Sequence, residues 1–285
     1  MRPRASGEPP DFVAVGHLTV DETPRGLRPG GSVLYAGLLA HHLGLRVGLV
    51  TSHGPDFPRE VVPPEIEVVA VPAPATTRFA LRYAPAGRTL TLRARATALA
   101  PFHLPAHFAE TGLAYLAPVA DEVSPDFAAA FPQAAVGVGA QGWCRRWDRE
   151  GRVSMRPWPD PEAVLARAQG LFLSSDDVAG WEDEALELYQ HVPLGALTLA
   201  ARGAILFVNG ERSGVEAAPA VEVEPTGAGD GFAAAFLIRY NAGGDPYEAA
   251  SFAAVAGAIT VEADGIAGVP SRAELESRWR AFQLR

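Results

Sequence analysis

Thr226-Gly227-Ala228-Gly229-Asp230 is the stretch whose residue types and spacing bear most directly on chemistry. A glycine-rich turn runs into an alanine-rich helix expected over 229–240, with a carboxylate in its first turn. Free backbone N–H groups, the positive end of a helix and a candidate base coincide there, which suits transfer of a phosphoryl group onto a hydroxyl. An acid in a first helical turn is also ordinary helix-end electrostatics, so the turn alone leaves both readings open. Asp21 follows a strand-like run, where a carboxylate can accept hydrogen bonds from two neighbouring hydroxyls of a polyol; the plainer reading is a turn residue opening a loop over 22–30. Gly30-Gly31 either lets the first helix present its N-terminus to a ligand or simply makes a turn. Ser174-Ser175-Asp176-Asp177 stands at another strand end. Asp177 can hold a magnesium-bound water near phosphates, and Ser175 or Asp176 is a good helix cap. Gly137-Val138-Gly139-Ala140-Gln141-Gly142 fits a dinucleotide pattern, but the Trp-Cys-Arg-Arg-Trp that follows is no clean helix start, so a nicotinamide-binding reading is weak.

These residues need a frame. Apolar runs at 12–16, 46–51, 66–71, 113–118, 135–138, 171–173 and 196–199 read as strands. They alternate with helices expected over 32–43, 125–131, 176–190, 246–261 and 271–282, which implies an α/β fold with a mostly parallel sheet. The run 204–208 ends on Asn209-Gly210, a strong two-residue hairpin signal. One segment breaks the rhythm: 76–84 and 88–96 each alternate in polarity around Ala86-Gly87, with Arg78, Arg82, Arg88, Arg93 and Arg95 outward. It reads as an antiparallel hairpin standing off the main sheet, either an ordinary edge hairpin or a lid over a site.

Composition excludes several classes. The 285-residue chain carries a net charge of −9, which disfavours nucleic acid as a partner. No apolar run approaches the roughly 20 residues that span a bilayer. The start of the chain lacks the apolar core of a signal peptide, so a cytoplasmic location is expected. The lone Cys144 agrees with a reducing compartment. The sequence contains no lysine, which removes a Walker A loop, Schiff-base chemistry and a protein-kinase-type lysine. Phosphate chemistry here must therefore use backbone amides, metal ions and arginines. The histidines show no metal-ligand spacing, and Trp143, Trp147 and Trp158 read as packing residues.

Taken in order, the pieces resemble the PfkB family of carbohydrate kinases, ribokinase and adenosine kinase among them. Gly30-Gly31 resembles the family's first glycine signature. Thr226 to Asp230 resembles its second, in which the aspartate is the catalytic base. Thr198-Leu199-Ala200-Ala201-Arg202-Gly203 resembles the nucleotide-side segment, and the stretches 253–257 and 265–270 resemble the region near adenine and the monovalent-cation site. Gly16-His17, Gly30-Gly31-Ser32 with Tyr35, Ala75-Thr76-Thr77, Ala117-Pro118-Val119 and Gln141-Gly142-Trp143 look like the branch that includes myo-inositol kinases. There are departures: Glu224-Pro225 replaces Asp-Thr, Ser174-x-x-Asp177 replaces Asn-x-x-Glu, Ala200 replaces a glycine, and Ser32 and Tyr35 stand where ribose kinases carry Lys and Asn.

The resemblance implies a ribokinase-like three-layer α/β/α fold: a disordered tail over 1–11, one kinase domain over 12–285 and a β-hairpin lid over 76–96. It implies an ATP-dependent kinase of a small sugar or cyclic polyol. Asp230 would be the base, and the N–H groups of Gly227, Ala228 and Gly229 the anion hole. The acceptor would meet Asp21, Gly30, Gly31, Thr77 and Gln141. The nucleotide would meet Ser174, Thr198, Arg202, Gly203, Thr226 and Gly257, with magnesium near Asp177. Potassium dependence is left open by Glu224-Pro225. A homodimer through the lid hairpin's edges is a further expectation. The alternative of a different class is a catalytically impaired ribokinase-fold protein that binds or regulates.

Overall fold

The computed structural model describes residues 7–84 and 87–284; residues 1–6, Ala86 of the expected hairpin turn and the side chain of Arg88 lie outside them. Among the described residues, strands β1 (Phe12–Val15), β2 (Thr19–Thr23) and β3 (Gly26–Gly30) precede helix α1 (Ser32–His42). Strands β4 (Val47–His53), β5 (Glu67–Pro72), β6 (Thr77–Ala84) and β7 (Gly87–Ala94) lead to the single turn α2 (Ala106–Ala109). Then come β8 (Leu113–Leu116), β9 (Ala135–Gly139), β10 (Arg145–Trp147), β11 (Val153–Met155), α3 (Glu162–Leu165), β12 (Gly170–Ser174) and α4 (Glu182–Leu188). The chain closes with β13 (Leu194–Thr198), β14 (Ala204–Val208), β15 (Glu211–Val215), α5 (Ala228–Gly243), α6 (Pro246–Thr260) and α7 (Arg272–Gln283).

Nine strands form the central sheet in the order β15-β14-β13-β12-β9-β8-β1-β4-β5. Pairing is parallel from β13 to β5 and antiparallel only at β13–β14 and β14–β15. Alternation along each strand sends successive side chains to opposite faces. Phe12 and Ala14 enter the core beneath α1, α5 and α6, while Val13 and Val15 enter the opposite core with Phe108, Val164 and Ala185. Helices therefore cover both faces, the three-layer α/β/α arrangement expected of parallel strands buried on both sides. Asp245 caps α6 through the N–H groups of Tyr247 and Glu248, and Ser271 caps α7 through that of Glu274. Asn209 and Gly210 both take positive φ, 50° and 82°, as a type I′ hairpin turn demands.

Three expectations need correction. The helix expected over 176–190 is only Glu182–Leu188 plus a 3₁₀ turn, Tyr189–His191. The Ser174 N–H and hydroxyl bind Asp177 Oδ2 at 2.9 and 2.6 Å, which folds the chain into a turn, and Gly180 at φ 87° bars the helix from starting earlier. Ser175 and Asp176 therefore cap no helix; the N-cap position belongs to Trp181. The helix expected over 125–131 is a 3₁₀ segment, Pro125–Ala129, begun by Ser124. The loop expected over 22–30 is mostly the β2–β3 hairpin.

That hairpin changes the lid. β2 pairs in parallel with β6, giving a four-stranded sheet in the order β3-β2-β6-β7. Its inner face carries the buried Phe79 and Leu81. The arginines tie it to the body: Arg78 reaches Asp56 at 2.7 Å, and Arg95 Nε donates to the Ala120 carbonyl at 2.7 Å. β7 is bridged at Thr91–Arg152, with Leu92 N–H on the Gly151 carbonyl at 2.8 Å. With β2 along one edge and residues 151–152 on the other, neither edge of the β6–β7 hairpin is fully open. At the start of the chain, Glu8 and Asp11 both pair with Arg46, at 2.9 and 2.7 Å. No helix of the described residues is long and apolar enough to cross a membrane.

Candidate active site

The carboxyl ends of β8, β9, β12 and β13, the inner face of the lid sheet and the N-terminus of α5 enclose a cavity of about 630 Å³. Ligands bind at this end of parallel sheets because the strand ends leave a crevice there. The cavity brings together Asp21, Gly31, Gln141, Ser174, Asp177, Thr198, Gly203, Gly257 and the whole run from Thr226 to Asp230.

The turn before α5 is built for an anion. Gly227 sits at φ 84°, and a Cβ there would lie 2.2 Å from Tyr35 Cδ1, so the ring of Tyr35 and the backbone conformation both require glycine. No side chain caps α5. Among the described residues the N–H groups of Gly227 and Gly229 have no protein acceptor, whereas that of Ala228 donates weakly to the Pro225 carbonyl at 3.3 Å. Two of the three expected anion-hole donors are therefore open. Thr226 Oγ1 is buried with no partner among the described residues.

Asp230 faces the same space. Withdrawal from bulk water lifts its carboxyl to about 6; the Ser32 hydrogen bond opposes this, the nearby charge of Asp177 adds to it, and Arg145 lowers it at longer range. A carboxylate poised near neutrality suits a general base. It sits at the end of a connected chain of side chains. Arg145 Nη1 donates to the Val119 carbonyl at 2.8 Å, its Nη2 to Gln141 Oε1 at 2.6 Å, and Gln141 Nε2 to Ser32 Oγ at 2.7 Å. Ser32 in turn bonds Asp230. Arg145 is buried, lies 5.5 Å from the Phe79 ring on the lid and is the only basic lining residue among those described.

Among the expected residues, Thr77, Gly30 and Arg202 sit off the cavity. Thr77 is fully buried outside the cavity, its hydroxyl 2.7 Å from His17 Nδ1 and accepting the Ala96 N–H at 2.9 Å, so it braces the root of the lid. Gly30 does not line the cavity; a Cβ there would come within 3.0 Å of Asp21 Oδ2 and Thr19 Oγ1, so the glycine makes room for Asp21. Gly31, at φ 100°, would place a Cβ 2.3 Å from the His17 carbonyl. Arg202 is exposed at the end of a 3₁₀ turn, off the cavity wall. Ala200 holds φ 52°, a left-handed conformation that suits a glycine. The dinucleotide-like glycines are packing residues. Cβ atoms at Gly137, Gly139 and Gly142 would strike Leu237, Tyr115 and Pro118. Trp143 and Trp158 stack at 4.8 Å, and Cys144 is buried, its thiol pushed up chiefly by desolvation.

Sequence reasoning missed Arg145, Phe79, Leu81 and Leu90. The lid residues were legible as the inward positions of an alternating hairpin. Arg145 carried only one signal, its place four residues after Gln141.

Comparison with known proteins agrees with this geometry. Residues 166–272 match the pfkB family carbohydrate kinase profile. No curated protein matches the chain. Among solved structures, a pyrophosphate-dependent myo-inositol-1 kinase is 20% identical with a TM-score of 0.78, over 96% of this chain and 100% of that one. A pyrophosphate-dependent kinase of the ribokinase family, complexed with a pyrophosphate analogue and myo-inositol, is 21% identical with a TM-score of 0.77, over 94% and 99%. Ribokinase from Thermotoga maritima is 18% identical with a TM-score of 0.75, over 94% and 99%. By fold along nearly its whole length this is a ribokinase-fold chain, and its residues 166–272 are similar to the pfkB family carbohydrate kinases.

Proposed function

We propose that this protein is an ATP-dependent kinase that phosphorylates a hydroxyl of a small sugar or cyclic polyol. The observation that carries this is the convergence of a partly buried carboxyl lifted to about 6, Asp230, with the open N–H groups of Gly227 and Gly229 in one cavity. Asp230 removes the proton as the acceptor oxygen bonds to the γ-phosphorus. The bond from that phosphorus to the bridging oxygen breaks, and ADP leaves with the electron pair. The turn's N–H groups stabilise charge on the transferring group. Asp21, Gln141 and Arg145 offer acceptors and donors to hydroxyls, while Phe79, Leu81 and Leu90 form an apolar wall that keeps water out.

The donor side supports a nucleotide. Ala217, Ala218, Ala254, Gly257, Ala258 and Val261 line part of the cavity, small apolar residues of the kind that pack against a planar base. Pyrophosphate, the donor of two structural neighbours, carries no apolar part, and Arg145 is the single basic lining residue described to receive it. Among the described residues no three His, Cys, Asp or Glu side chains converge as a metal cage. Asp177 lines the cavity as the carboxylate that would face the waters of a magnesium ion carried on the donor's phosphates; bound there, the ion would supply charge neutralisation.

The test is a donor-by-acceptor screen of the full chain: ATP or pyrophosphate against myo-inositol, ribose, fructose and adenosine, reading ADP or phosphate release. Turnover with ATP and a polyol or sugar is expected. Turnover with pyrophosphate alone overturns the donor, and silence with both donors on all acceptors leaves the binding-only reading.

A further inference from the structure

Behind the anion turn the chain holds a cation of its own. Glu224 stands two residues before Thr226, and its Oε1 accepts the Thr226 N–H at 3.0 Å while Oε2 accepts the Gly265 N–H at 3.3 Å. That carboxylate clamps the approach to the turn onto the 3₁₀ segment Gly265–Gly268. Arg28 comes in from β3. It lies directly opposite Asp21 in the β2–β3 register, so both side chains share one face. Its Nη1 pairs with Asp264, whose other oxygen receives Arg25 at 3.4 Å. A Cβ at Gly265 would lie 3.8 Å from Arg28 Nη1 and 3.9 Å from the Tyr35 hydroxyl. Tyr35 is the residue whose ring underlies Gly227. Its hydroxyl is pushed up by burial first and then by Glu224, Asp21 and Asp230, with Arg28 pulling the other way. One guanidinium and several carboxylates therefore surround the buttress of the turn.

A bound monovalent cation needs a shell of oxygens free to coordinate it. Here both Glu224 oxygens accept backbone N–H bonds and Asp264 is paired with arginines on both oxygens. These residues do not fit a potassium or sodium site. We propose that the Arg28 guanidinium is the built-in monovalent cation of this region: it balances Asp264 and Glu224, keeps the Glu224 clamp closed, and makes the anion turn independent of potassium and sodium. Arg28 is thus a positioning residue. That the turn binds donor phosphate rests on the kinase reading above; the charge balance does not.

The full chain, dialysed into choline chloride, is to be compared in choline, sodium, potassium and caesium chlorides at equal ionic strength, reading melting temperature without ligand and ATP affinity by calorimetry. The wild type is expected to show the same melting temperature and affinity in all four. Arg28→Ala is expected to bind ATP about fivefold more weakly, the scale of one partly exposed ion pair. Millimolar guanidinium, or potassium against choline, should restore part of that loss, and Arg28→Lys should keep most of the affinity. Specific stabilisation or tighter binding of the wild type by potassium overturns the proposal. So does an Arg28→Ala protein with unchanged affinity and no response to any cation. If Arg28→Ala does not fold, the wild-type salt series and Arg28→Lys decide. If the wild type binds no ATP in any salt, the kinase reading falls, while the melting series still decides the role of Arg28.

Discussion

If Asp230 is the base, the acid limb of the reaction should lie where its environment puts it. With its carboxyl lifted to about 6 from the ordinary 3.8, the residue is about one-tenth ionised at pH 5 and almost wholly ionised at pH 7.5. A carboxyl at the ordinary value would be more than about nine-tenths ionised at both. The specificity constant kcat/KM should therefore fall about tenfold from pH 7.5 to pH 5 with unit slope, and an unperturbed base would leave it nearly flat. The donor's own phosphate also titrates near this range, so variants must separate the two. Removing the like charge in Asp177→Asn should move the limb to lower pH, and removing the opposing charge in Arg145→Met should move it higher. A limb that belonged to the donor would stay in place in both. A wild-type limb below pH 5, or a limb at 6 that neither variant moves, refutes the assignment.

Three further outcomes follow from the same geometry. The lift of about two units costs the ionised fold about 3 kcal/mol at most, and that penalty grows as pH rises from 3.8 through 6. Asp230→Asn, which also weakens the Ser32 bond, should cut turnover at least about a hundredfold. It should melt a few degrees above wild type at pH 7.5, with the gap closing at pH 4; equal melting temperatures at both pH values would contradict the buried-charge cost. Gly227→Ala drives a Cβ into the Tyr35 ring and should lower turnover by about a hundredfold, the scale of a lost anion-hole donor, as read by steady-state kinetics; near-normal turnover would mean the turn is not the phosphate site. Leu81 and Leu90 face each other across the hairpin and line the cavity. Leu81→Ala with Leu90→Ala should let water into the apolar wall and raise the KM of whichever acceptor turns over at least about tenfold, as read by steady-state kinetics, and an unchanged KM would remove the lid leucines from the acceptor site.

What could be read from the chain alone was local. Continuous apolar runs placed the central parallel strands, because β1, β8, β9 and β12 are buried on both faces and must be apolar throughout. The turn at Thr226–Asp230 announced itself because close approach of backbone to an anion demands glycine at Gly227. What could not be read was tertiary. β2 and β3 hold Asp21-Glu22-Thr23 and Pro29-Gly30, a composition that favours a loop; they become strands because β6 lies alongside β2. The 176–190 helix failed because Ser174 and Asp177 bond to each other across a turn, a preference that competes with helix wherever these residue types sit three apart. Ala200 ran the other way: its departure from glycine marked a residue held at φ 52°.

Two arginines, one lining the cavity and one behind the turn, explain why the base stays a base. A cation touching Asp230 would pull its pKa well down and leave a weak proton acceptor. Arg145 is instead kept two side chains away, its fork engaged by the Val119 carbonyl and Gln141, with Gln141 and Ser32 relaying polarity without full charge. Arg28 neutralises carboxylates on the far side of Tyr35. A guanidinium suits both places because its planar donors can be fixed by two acceptors at once, whereas a lysine ammonium on a flexible stem would be free to swing onto the carboxylate. In a chain with no lysine, Arg145→Lys is thus the most telling conservative change. It should lower the acid limb rather than raise it, since the ammonium can reach Ser32 and Asp230 while losing the Val119–Gln141 fork. A limb that rises as in Arg145→Met would show that the fork's geometry, and not its charge, sets the strength of the base.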